Sequence, residues 1–232
     1  MINPFVVILP CAGSGSRLNS DIPKQYKRIN GKIILQYSID LFLSFDECLK
    51  IIVAISESDL LHKDIIGDDR IDIIEGGKSR ADSVRLCFNY MVENGYRENV
   101  IIHDAVRPCL KKSQVKEFLE FFSSAKLDGL IFAHQVTDTV KSSSDGKIID
   151  DTLNRSKLWQ AETPQIFNFS KLSNAYNSFK EDISSITDES SLFDKSEDKI
   201  YLYPNSSNNL KITYKEDLKL AEYLIKNSKD EI

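Results

Sequence analysis

Short runs rich in Val and Ile alternate with stretches of helical period through residues 1–135, and few folds accommodate that order. The runs fall at Phe5–Leu9, Lys50–Ile55, Ile71–Glu75, Asn99–His103 and Gly129–Gln135. Each is short and nearly continuously apolar, as strands covered on both faces are. Between them, Val84, Cys87, Phe88, Met91 and Val92 make one apolar helical stripe, and Val115, Phe118, Leu119 and Phe122 make another. This βαβα order predicts an α/β fold with a mostly parallel sheet and helices on both faces. The 232 residues suit one such domain, spanning 1–232.

The alternation stops over residues 137–167. Ser142-Ser143-Ser144-Asp145-Gly146 is a turn signal between short extended pieces, so this stretch predicts a protruding β-arm rather than another βα unit. Helical pattern resumes at Ser170–Phe179 and Asp188–Phe193. Lys199–Tyr203 and Leu210–Thr213 read as strands, and Lys215–Asn227 as a closing helix.

Composition narrows the partners. A net charge of −5 supplies no general attraction for nucleic acid, so an anionic ligand has to be held by local basic residues. No apolar run approaches the roughly 18–20 residues that span a bilayer, and Met1-Ile2-Asn3-Pro4 lacks the basic start of a signal peptide. Cys11, Cys48, Cys87 and Cys109 form no C-x-x-C pair and only three histidines are present, which argues against structural zinc and a disulfide framework. A cytoplasmic protein with free thiols is expected.

Four constellations carry chemistry. Pro10-Cys11-Ala12-Gly13-Ser14-Gly15-Ser16-Arg17 follows the first strand, and its small residues let backbone N–H groups approach an anion. It is not a dinucleotide fingerprint, because Leu18 stands where a third Gly or Ala belongs, nor a Walker A loop, because Ser16-Arg17 replaces Gly-Lys-Ser/Thr. A plain strand–turn–helix link is the competing reading. Asp21-Ile22-Pro23-Lys24-Gln25-Tyr26 then sets Lys24 close in sequence to Arg17, two cations suited to the charge that develops on a phosphoryl group. His103-Asp104-Ala105-Val106-Arg107-Pro108 sits at a predicted strand's carboxyl end, where an Asp serves a metal ion, a ribose hydroxyl or merely a turn. His103 reads as a packing residue. Gly76-Gly77-Lys78-Ser79-Arg80-Ala81-Asp82-Ser83 opens a helix; its N–H groups and the Ser83 hydroxyl suit a base edge, while Ser79 suits a helix cap. Arg155, Thr163-Pro164-Gln165, Thr187-Asp188-Glu189 and Lys211 are polar islands that spacing alone does not assign.

In order, these blocks closely resemble the 2-C-methyl-D-erythritol 4-phosphate cytidylyltransferase family of non-mevalonate isoprenoid biosynthesis. The resemblance runs almost end to end, through the Gly loop with its Arg, "DIPKQY", "GGKSRADSV", "HDAVRP", "TDT", "ETPQIF", "TDESS" and "NNLKIT". It implies a Rossmann-like, glycosyltransferase-A-like nucleotidyltransferase domain that binds CTP and Mg²⁺ and works as a homodimer with exchanged arms. It also implies transfer of CMP to a small polyol phosphate. By position, Arg17 and Lys24 look like transition-state stabilisers; Arg155 and Lys211, with Thr187 beside them, like residues that place the substrate phosphate. Ala12, Gly13 and Gly15 resemble the triphosphate and nucleoside loop, Gly77 and Ser83 the cytosine contacts, and Asp104 and Ala105 the ribose and metal side. Arg80, Arg107 and Thr163 fall within the same blocks and join the substrate-binding set. Cys11 and Val106 stand where the family commonly has Ala, and Asn208 where an Asp usually precedes Asn209, which leaves Asp104 as the carboxylate for a metal. Ribitol-5-phosphate cytidylyltransferases share most blocks and commonly carry the Val106 form, whereas "RADSV" and "TDESS" lean to methylerythritol phosphate. A non-catalytic nucleotide-binding regulator on the same fold is the third reading, and the presence of Arg17 and Lys24 counts against it.

Overall fold

The computed structural model describes residues 1–13, 22–65, 67–206 and 208–228. In chain order the elements are β1 (Phe5–Pro10), β2 (Arg28–Ile29), β3 (Lys32–Ile33), α1 (Ile34–Leu43), β4 (Cys48–Ile55), β5 (Ile71–Glu75), α2 (Arg80–Glu93), β6 (Asn99–Ile102), α3 (Lys112–Ala125), β7 (Gly129–Gln135), β8 (Lys141–Ser142), β9 (Asp151–Thr152), β10 (Trp159–Phe167), α4 (Phe169–Ser178), β11 (Ile200–Pro204) and α5 (Lys215–Lys226). Seven strands form one sheet in the order β11-β7-β10-β6-β1-β4-β5. β1 pairs in parallel with β4 and β6, β4 with β5, and β7 with β11; β10 alone runs antiparallel, between β6 and β7.

The predicted stripes are the buried faces. Leu35, Ile39 and Phe42 of α1 join Val115, Phe118, Leu119 and Phe122 of α3 on one side of the sheet. Val84, Cys87, Phe88 and Met91 of α2 join Leu172 and Tyr176 of α4 on the other. Burying both faces is what makes the strands read as continuous apolar runs. A third, smaller cluster seats α5 through Ala221 against Ile212, Val106 and Cys109.

The structure differs from expectation in three places. The stretch foreseen as an arm over 137–167 contributes its last nine residues, Trp159–Phe167, to the middle of the sheet. Glu162, Thr163 and Gln165 are polar yet buried there, so the segment carries no apolar signature. Pairing with β7 slips between Ala161 and Gln165, and this bulge accommodates Pro164. The short β8–β9 hairpin with its exposed turn, and the 3-10 turn Arg155–Lys157 that follows it, remain outside the sheet. Leu210–Thr213, expected as a strand, is an extended segment: Ile212 is fully buried and donates one backbone bond to the Val106 carbonyl at 2.9 Å. The helical signal at Asp188–Phe193 corresponds to a 3-10 turn, Glu189–Phe193, capped by Asp188.

Candidate active site

Because β1, β5 and β6 run parallel, the loops leaving them emerge on one edge of the sheet, where open α/β sheets bind ligands. They enclose, with Lys24, Gln25, Lys211 and Thr213, a cavity of about 300 Å³. Ala12, Gly13, Lys24, Gly77, Arg80, Ser83, Asp104, Ala105 and Lys211 all line it. Gly15 and Arg17 lie outside the described residues.

Glycine serves close packing here rather than an unusual backbone angle. A Cβ on Gly77 would sit 2.3 Å from the Asp82 Cβ, and one on Gly76 would sit 2.6 Å from the Ala12 Cβ. The β5–α2 loop is thereby pressed against both the helix start and the first loop. Ser79 caps α2 through a reciprocal pair with Asp82, at 3.0 Å in each direction. The Ser83 hydroxyl accepts from Gly77 N at 3.1 Å and donates to the Ser79 carbonyl at 2.9 Å. These bonds brace the loop at the cavity wall, which Ser83 also lines.

Lys24 sits on a 3-10 turn, Lys24–Tyr26, and its ammonium donates to the Ile212 carbonyl at 3.1 Å. This stitches the cation to the segment that carries Lys211. Gln25, to which the motifs gave no role, is buried and reaches back to the first loop.

Asp104 is the electrostatic centre. Lys211 Nζ lies 2.8 Å from its carboxylate, Arg80 Nε 3.1 Å and Arg107 Nε 3.5 Å. Burial by itself would push this carboxyl up; Arg80, Lys211 and Arg107 together hold it well below the usual carboxylate range. Thr163, from the bulge of β10, accepts the Asp104 backbone N–H at 2.9 Å and pairs with His103 Nδ1 at 3.2 Å. His103 is fully buried, edge-on to Phe42, and burial lowers its pKa to about 3. It is a neutral packing residue, as its place in the sequence suggested.

Behind this layer, Glu189 accepts Arg80 with both oxygens, and Glu162 lies 4.0 Å from Arg107. Neither carboxylate was singled out from the motifs that contain them. Arg107 faces a separate cavity of about 230 Å³ that shares Lys211 with the first. Thr187 lines neither; it borders a larger cavity of about 580 Å³ between α4 and the 3-10 turn. Size does not make that cavity the site, since it meets no glycine loop and no strand end. Arg155 lies beyond the hairpin, exposed, donating to the Thr137 carbonyl, and does not line the first cavity of its own chain.

Among the described residues no group of three His, Cys, Asp or Glu side chains is placed to hold a metal. With Asp104 already shared by three cations, the donor set fits a magnesium ion only when phosphate oxygens supply most of its ligands, the common mode for Mg²⁺ beside a nucleotide.

The chain's likeness to known proteins agrees with this geometry. The family model described as 2-C-methyl-D-erythritol 4-phosphate cytidylyltransferase matches residues 5–227. A protein of that name from Wigglesworthia glossinidia brevipalpis is 40% identical over 234 residues, covering 99% of this chain and 100% of the relative. One from Haemophilus influenzae (strain PittEE) is 37% identical, covering 99% and 100%. The crystal structure of the Francisella tularensis protein of that name superposes with a TM-score of 0.79 at 31% identity, over 96% of this chain and 100% of the other.

Proposed function

The chain belongs to the 2-C-methyl-D-erythritol 4-phosphate cytidylyltransferase family, and from that membership we propose that it transfers CMP from CTP to 2-C-methyl-D-erythritol 4-phosphate. The observation that carries the reading is the convergence of Lys24, Arg80 and Lys211 on a cavity walled by the loops of β1, β5 and β6. In the reaction a phosphate oxygen of the acceptor attacks the α-phosphorus of CTP. The bond to the β-phosphate breaks, and pyrophosphate leaves with its electron pair. Nothing covalent is asked of the protein, so its work is placement and charge. The Cys11–Gly13 loop carries the triphosphate, and the Gly76–Ser83 loop bounds the space for the base. Lys24, with Arg17, neutralises charge as it moves toward the leaving pyrophosphate. Lys211 receives the acceptor's phosphate. When bound, magnesium neutralises triphosphate oxygens, with Asp104 as its one protein carboxylate.

The working unit in this reading is a homodimer. Ile148 is 69% exposed and Ile149 60%, with Leu153 and Trp159 also exposed along and just beyond the hairpin. A two-stranded hairpin is marginal alone, and a second copy related by a two-fold axis covers this surface. Arg155 then serves the partner's site. Among the described residues no helix is long and apolar enough to cross a membrane, and all four cysteines are free and buried. Both features accord with a cytoplasmic enzyme.

The test is pyrophosphate release with CTP and each of two acceptors. Turnover with methylerythritol phosphate far above that with ribitol 5-phosphate is expected. The reverse order would make this a ribitol-phosphate enzyme, the reading that Val106 favours, and no release with either would leave a nucleotide-binding protein without this activity.

A further inference from the structure

The three cations on Asp104 are not equivalent. Arg80 is held from behind by Glu189, which is fully buried and accepts its Nη1 at 3.0 and 2.9 Å. Arg107 donates to the Asn209 carbonyl at 2.7 Å and has Glu162 4.0 Å away. Glu162 is itself fixed by the amides of Asn205 and Asn209, each at 2.9 Å. Lys211 has no second carboxylate among the described residues, its side chain is 41% exposed, and it borders both the nucleotide-side cavity and the smaller one beside it.

We propose that Glu189 is a positioning residue: by anchoring Arg80 it makes Lys211 the cation that leaves Asp104 for the acceptor's phosphate. This rests on the proposed cytidylyl transfer. Moving Arg80 would strand a fully buried carboxylate, which is far less favourable than moving a half-exposed lysine from one anion to another. When Lys211 leaves, Asp104 keeps Arg80 and Arg107 and stays compensated. Without the Glu189 charge, Arg80 has only Asp104 as its anion. It then takes both carboxylate oxygens or turns to the incoming phosphate, and Lys211 loses its set starting place. The 3-10 turn Glu189–Phe193 thus acts on the acceptor through Arg80, without touching either substrate.

Glu189→Gln keeps the shape and removes the charge. Its KM for the acceptor should rise by roughly tenfold or more, the scale of one lost charge-assisted contact, with the KM for CTP little changed. Acetylation of Lys211, followed by peptide mass, gives a readout independent of rate. Saturating acceptor should protect Lys211 in the wild type and fail to do so in Glu189→Gln. Should the single variant not fold, Arg80→Gln alone and the double variant Arg80→Gln/Glu189→Gln, which keeps the site's net charge, carry the test. The double variant should bind acceptor no worse than Arg80→Gln alone, because Glu189 acts only through Arg80. An unchanged acceptor KM with intact protection of Lys211, or losses from the two substitutions that simply add, overturns the role of Glu189. Failure of the wild type to turn over would instead remove the reaction on which the proposal rests.

Discussion

The side-chain amide of Gln25 donates to the Cys11 carbonyl at 2.7 Å and to the Gly13 carbonyl at 3.4 Å, tying the first loop to the turn that carries Lys24. Gln25 is 4% exposed, so no water replaces it cheaply. Gln25→Leu should therefore cost about 1–3 kcal/mol in urea unfolding, the usual penalty for orphaning a buried polar partner. It should also weaken CTP binding, since the loop carbonyls lose their tether. Reduced stability with unchanged CTP affinity would show that the tether serves the core alone.

Lys24 and Arg17 are expected to act in the transition state more than in the ground state. Lys24 lines the cavity and is fixed to the Ile212 carbonyl, so its charge is already in place when negative charge shifts to the leaving group. Lys24→Ala and Arg17→Ala should each lower kcat by on the order of 10²–10³, with a smaller effect on CTP binding. Measuring kcat and CTP affinity separately decides the matter. A variant that only raises the KM for CTP identifies a ground-state binder.

Acid sensitivity should report His103. Burial pushes its pKa down to about 3, so the folded chain refuses a proton that the unfolded chain accepts near its ordinary 6.5. The unfolded state then binds more protons below that value, and stability falls as the pH drops. Between pH 6.5 and pH 5 the loss should be about 1–2 kcal/mol. Asp104, whose pKa is also depressed, acts only at lower pH, in and below the ordinary carboxylate range, so the two effects separate. His103→Gln should flatten the slope of unfolding free energy between pH 5 and 6.5. A slope that survives the substitution assigns it to other groups.

What was legible in the sequence followed from physics that is local in the chain. β1, β4–β7 and the stripes of α2 and α3 declare themselves because strands covered on both faces need unbroken apolar runs and surface helices need one apolar side. β10 did not, because its burial is shared by Glu162, Thr163 and Gln165, whose partners lie on other elements: His134 and Asn209, Asp104 and His103, and Asp188. A buried polar strand and an exposed arm have similar composition, and only the fold tells them apart. The same holds for the site. Lys24 and Asp104 could be named from their motifs, and Lys211 only through the family resemblance, but the anchoring of Arg80 by Glu189 joins residues 109 positions apart. Spacing does not encode that contact.

The arm leaves the strongest test of assembly. Arg155 is exposed, held near the Thr137 carbonyl at the base of the hairpin, and absent from the lining of the cavity that Lys24 and Asp104 share. Lys24, by contrast, lines that cavity directly. If Arg155 acts in trans, Arg155→Ala and Lys24→Ala damage different sites of a mixed dimer in a calculable way. One site then combines the Lys24 lesion with the partner's Arg155 lesion, and the other site has neither. Mixing two inactive homodimers and letting the subunits exchange should restore roughly a quarter of wild-type activity, because half the dimers are mixed and each has one intact site of two. The exchange itself is followed by mass, so a negative result is informative. Exchange without recovered activity places Arg155 in its own chain's site and reduces the hairpin to a contact between subunits. Recovery well above a quarter would require mixed dimers to form in preference to random pairing, which the same mass measurement reads directly.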